Sequence, residues 1–211
     1  MRACRRSIED SGIKVQRVSD LSFLARRQLT LRAFFRKRRR YGVNSFEGFC
    51  QAHCNIDTKE FSRLLIKNVV QFTYWRNKQP DNIVFFDESI SHQFLRLCVR
   101  SNSSPEFLLE PYLDLMPRMD MIVTLSVPVE VAYERIQRRD AGKTYFFGGR
   151  QLDEAPRLLK VFDRACELLM EGAERRGIRV LRCDGLASPE DNARKITDAI
   201  NGVQPLRGLA S

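Results

Sequence analysis

The apolar run Ile83-Val84-Phe85-Phe86 leads directly into two adjacent acids, Asp87 and Glu88. A run of that kind fits a strand buried on both faces, and such a strand holds whatever stands at its end in a fixed place. Carboxylates there can hold Mg²⁺ through water or take a proton from a hydroxyl. Asp87 is the first candidate for metal partner or base, and Glu88 competes for the role. The plainer alternative is that Glu88 caps the next helix while Asp87 closes the strand. Arginines form the second candidate set. Arg135, Arg138 and Arg139 share one helical stretch, and Arg150 follows in a loop that contains Gly142, Gly148 and Gly149. Guanidinium forks match phosphate oxygens and neutralise the charge that develops in phosphoryl transfer. A solvated basic helix face is the competing explanation.

Charge points the same way. The 36 Lys+Arg exceed the 26 Asp+Glu, and the net charge of +10 favours anionic partners: nucleotides, phosphorylated substrates, nucleic acid or an acidic membrane face. No apolar run approaches the ~18 residues of a membrane helix, and the basic stretch after Met1 lacks the apolar core of a signal peptide. Six cysteines (Cys4, Cys50, Cys54, Cys98, Cys166, Cys183) are scattered along the chain. A chain of 211 residues has no need of disulfides, so free thiols in a reducing, cytoplasmic setting are expected. Cys50, His53 and Cys54 could share a helix face and bind a metal. His92 is the only other histidine and no second cysteine pair follows, which favours a half-buried helix instead.

The elements that must position these groups alternate. Gly12 to Asp20 reads as a strand, and "LSFLARRQLTLRAFFRKRRRYG" as a basic helix. A capping box, Asp57 with Glu60, opens a helix carrying Phe61, Leu64, Leu65, Val69 and Phe72 at helical spacing, with Tyr74 and Trp75 at its end in the core. The Ile83–Phe86 strand follows, then helical stretches near 91–100 and 105–115. Met121 to Val127 is a second apolar strand, and Pro128 suits the first turn of the helix after it. A long helix places Leu158, Phe162, Ala165, Leu169 and Ala173 on one face and stops at Gly177. "IRVLRCDG" is the last strand; Asp184 at its end lies near a bound adenine or closes a simple turn. Ser188-Pro189-Glu190-Asp191 caps the last helix. Strands alternating with helices, the inner ones continuously apolar, predict a parallel sheet covered on both faces, with ligands beyond the carboxyl ends of its strands.

The stretch "MDMIVTLSVPVEVAYERIQRRDAGK" resembles thymidylate kinase-like and other nucleotide or nucleoside kinases of the P-loop class. There a strand ends in Leu-x-Val-Pro, a helix carries Glu-Arg-Ile and Arg-Arg, and a mobile lid follows. Here those residues are Leu125 to Pro128, Glu134-Arg135-Ile136 and Arg138-Arg139. The later "YFFGGRQLDEAPRLLKVFDRACELLMEGAERRGIRVLRCDG" is similar to the lid, long helix and final strand, and "FFDES" resembles the strand whose acid serves Mg²⁺ or the acceptor hydroxyl. A closer likeness is to bacterial P-loop kinases found with surface-polysaccharide genes. The resemblance spans roughly Gly12 to Gly202. It implies one domain over 1–211, a three-layer doubly wound parallel sheet with a lid at about 138–152, that transfers phosphoryl from ATP with Mg²⁺. The acceptor is a nucleotide, a nucleoside, or a sugar or lipid intermediate.

The phosphate loop G-x-x-x-x-G-K-[ST] of that class has no counterpart. Ala141-Gly142-Lys143-Thr144 is a decoy, because Gln137 stands where the first glycine belongs and a helix rather than a strand precedes it. The opening "MRACRRSIEDSG" resembles the back half of the helix after the loop, which puts the first strand and loop upstream of Met1. In the family that strand sits mid-sheet, between the "FFDES" and "MIVTLSV" strands. Each ladder bond lost in a dry site costs ~1–3 kcal/mol, against a total stability of ~5–15 kcal/mol. Residues 1–211 are therefore expected to be inactive, and to be unstable, repacked or completed by a partner. The partner classes are a small anionic substrate and a second copy in a homodimer. A different function class is a non-catalytic basic module that binds nucleic acid or anionic membrane through Arg26 to Arg40, although the Arg36–Arg40 run reads first as a solvated helix end.

Overall fold

Strand and helix alternate along the chain. The computed structural model describes residues 15–17, 43–54, 83–86, 90–101, 103–117, 119–140 and 154–202, with 61, 64, 65, 68, 69 and 72 between them. In order these form β1 (Val15–Arg17), α1 (Val43–His53), β2 (Ile83–Phe85), α2 (Ile90–Arg100) and α3 (Pro105–Leu113). Then come β3 (Met121–Ser126), α4 (Val129–Asp140), α5 (Ala155–Arg175), β4 (Arg179–Asp184) and α6 (Pro189–Asn201). The architecture is mixed α/β, with two two-stranded parallel sheets among the described residues. Val15 lies opposite Ile83 in β1–β2, and β3–β4 runs in step from Met121 opposite Arg179 to Ser126 opposite Asp184.

Local sequence explains the boundaries. Ser104 and Ser188 are extended N-caps whose hydroxyls accept from the Phe107 and Asp191 amides, and a proline opens each helix behind them. Gly177 ends the turn after α5 at φ 74, a conformation that glycine alone adopts without cost.

The β3–β4 pair has a helix on each face. Alternation sends Ile122 and Val180 into the main core with Leu169 and Ala173 of α5, and Thr124 Oγ1 lies 3.4 Å from Cys166 Sγ of the same helix. Val123, Leu181 and Cys183 turn the other way, onto Ile196 and Ile200 of α6. α5 in turn packs against α2 and α3, where Phe94, Leu97, Leu108, Tyr112, Leu113 and Leu169 are fully buried. Each such side chain contributes about 1.5–3 kcal/mol by burial. Gly172 permits that approach, since a Cβ there would sit 2.6 Å from Leu113 Cδ1. Phe61, Leu64, Leu65, Val69 and Phe72 are helical as their spacing predicts, with Leu65 and Val69 buried.

β3 corrects the expectation of a strand covered throughout. Ile122 is buried, but Leu125 is 60% exposed and Ser126 is exposed as well. Periodicity gives the two faces of a strand and not the reach of the helices over them; here cover stops short of the carboxyl end.

Two tests follow from the packing of α3. The Tyr112 hydroxyl donates to the Ile90 carbonyl, and its ring meets Phe46 at 5.7 Å and Phe94 at 5.0 Å. Tyr112→Phe keeps the ring and removes the bond. Because Ile90 is a helical residue, the expected loss is about 0.5–1.5 kcal/mol, read from the denaturant midpoint; no loss would mean the bond is not formed. On the surface, Arg176 and Arg175 donate to Glu110 and hold its carboxyl below the ordinary carboxylate range. A lowered folded-state value stabilises above the unfolded value and is lost as pH falls through the folded one. Glu110→Gln should therefore flatten the fall in melting temperature below about pH 4.3, and an unchanged acid limb would show the pairing to be idle.

Candidate functional site

β3 and β4 end level, so their carboxyl ends form one mouth. The Gly185 amide donates to the Ser126 carbonyl at 2.8 Å, closing the pair. Beyond it, the Leu186 amide donates to Asp184 Oδ1 at 2.8 Å and Asn192 Nδ2 donates to the Asp184 carbonyl at 2.7 Å. Of the two expectations for Asp184, the structure shows the turn. Arg135 reaches over from α4, with Nη1 and Nη2 each 3.4 Å from the Gly185 carbonyl. Leu125, at the end of β3, and Leu186, just past β4 and 54% exposed, add apolar surface at this end. The mouth thus presents a positioned guanidinium and apolar side chains, a combination suited to an anionic ligand with an apolar body.

The arginines named from the sequence separate. Arg135 turns to Gly185, whereas Arg138 pairs with Glu134 one turn back, at 3.4 Å, and is 81% exposed. That is a solvated helix pair worth about 0.3–0.5 kcal/mol. Arg139 belongs to the last turn of α4. Asp87, Glu88, Arg150, the capping box at Asp57 and Glu60, Tyr74, Trp75 and the Arg36–Arg40 run lie outside the described residues, as does most of the lid at 138–152. Sequence reading passed over Gly185 and Asn192. The latter had a signal, because it is a polar residue on the apolar stripe of α6 that also carries Ala193 and Ile196.

The Cys50-His53-Cys54 cluster resolves as a half-buried helix. Cys50 and Cys54 enter the core, while His53 is exposed and its ring lies 5.0 Å from Phe49 and 5.3 Å from Phe107. Among the described residues no group of three or more His, Cys, Asp or Glu is arranged to hold a metal. Among the described residues, Cys54, Cys98, Cys166 and Cys183 are free thiols. Burial, and the nearby Cys54, push the Cys98 thiol far up. None of the described helices is long and apolar enough to cross a membrane.

Two outcomes check this geometry. A Cβ on Gly185 would lie 2.4 Å from Val127 Cγ1 and 2.9 Å from the Ser126 carbonyl oxygen. The oxygen cannot yield without opening the mouth, so Gly185→Ala should destabilise by about 1–3 kcal/mol. Gly48 of α1 has open space around it, and Gly48→Ala should stabilise by up to ~1 kcal/mol. Paired denaturant melts read both signs, and equal effects would contradict the placement of residue 185. Second, Cys98 should resist alkylation by iodoacetamide at pH 8 until the protein is unfolded, because the thiolate is the reactive form. Labelling of Cys98 in the native state, located by peptide mass mapping, would show that α2 is not packed as described.

Among known proteins, no family model, no curated sequence and no solved structure matches this chain.

Proposed function

We propose that the chain is the body of a P-loop kinase-like phosphotransferase domain, a three-layer doubly wound parallel sheet, for transfer of phosphoryl from ATP to a small acceptor such as a nucleotide or nucleoside. The observation that carries this is the pairing of the strands. β1–β2 and β3–β4 are separate parallel pairs with no ladder joining them among the described residues. One further parallel strand between β2 and β3 would unite them into a single sheet, and that is where the resembling kinases keep their phosphate-loop strand. Helices on both faces of β3–β4 and the excess of basic residues favour the same reading.

Roles divide along the mouth. Leu125 and Leu186 offer apolar contact to a base, and Arg135 offers charge to phosphate. Asp87, two residues after β2, is the metal partner or base, with Glu88 as its competitor. Arg139 and Arg150 serve from the lid side, while Arg138 stays in its surface pair with Glu134. The residues described do not by themselves fit ATP: one guanidinium at the mouth does not replace a cradle of backbone amides, and the sequence contains no G-x-x-x-x-G-K-[ST]. No Mg²⁺-dependent step is assigned to residues 1–211 alone.

Calorimetric titration with Mg·ATP tests the proposal. Residues 1–211 should show no saturable binding at micromolar concentration. Residues 1–211 joined behind an apolar strand and a G-x-x-x-x-G-K-[ST] loop should bind. In that protein Asp87→Asn should lower transfer by ~10²-fold or more with the fold intact, and Glu88→Gln should leave it near normal. Saturable binding by residues 1–211 would show that the phosphates do not depend on the missing loop. Failure of the loop-bearing protein to bind overturns the proposal. If the chain instead binds RNA or anionic vesicles at physiological salt, and replacing Arg36 to Arg40 by Ser abolishes that binding, the basic-module function replaces it.

A further inference from the structure

We draw no further inference here: the strongest candidate, the polar stripe of α2 on which the buried Gln93 Oε1 and Arg100 Nε lack hydrogen-bond partners among the described residues, carries nothing because nothing in the structure shows what would reach these atoms.

Discussion

The parallel pairing of β3 with β4 is the constraint on which the described fold depends. Two parallel strands cannot be joined by a hairpin, so the chain must return across one face of the pair before the second strand begins. α4 and α5 make that return. Once α5 lies on the sheet, its sequence has three neighbours to satisfy: strands below, α2 with α3 above, and α4 against its first turns. That accounts for the small residues Ala165, Gly172 and Ala173 among the leucines of its buried surface. Gly172 admits the Leu113 and Leu109 side chains of α3, and the leucines of α5 fill the space around them. The second face of the sheet is left to α6, which follows β4 after a turn built on Asp184, Asn192 and Ser188.

The two edges of the β3–β4 pair are treated differently. On β4, Lys195 Nζ donates to the Arg182 carbonyl at 2.7 Å, and Arg179 reaches the Ala199 carbonyl at 3.0 Å. Charged side chains satisfying or crowding an outer strand are a known way of keeping an edge from pairing again. β3 offers Met121, Ile122, Val123, Thr124, Leu125 and Ser126 in succession, a composition suited to the interior of a sheet rather than its border. In the proposed sheet β4 would be the outer strand and the extra strand would lie beyond β3.

Local signals were the legible part of the sequence. Ser188-Pro189 and Gly177 mark boundaries through a cap or a backbone conformation that depends on a few adjacent residues, and the structure places them accordingly. The core positions Leu158, Ala165, Leu169 and Ala173 were legible because helical spacing alone selects them. Contacts between residues far apart in the chain were not. Nothing near Arg135 announces that its partner is a carbonyl fifty residues on, nor does Tyr112 declare the Ile90 carbonyl. The over-prediction of burial at Leu125 and Ser126 has the same origin, since an apolar run records which residues tolerate cover and not whether a neighbour extends far enough to give it.

Arg135 shows how a structural contact and a ligand-facing role can coexist. A guanidinium carries five N–H donors, and one carbonyl oxygen accepts at most two of them. The two contacts to Gly185, both at 3.4 Å, lie at the long end of hydrogen bonding. They orient the side chain while consuming little of its capacity, and they orient it at the point where β3 and β4 end. Arg138, three residues on and so a neighbour of Arg135 on the same side of the helix, pairs with Glu134. The partner each one finds therefore separates two arginines that look equivalent in the sequence: one is held at the mouth by the backbone of a neighbouring loop, and the other is paired on the surface with its own helix.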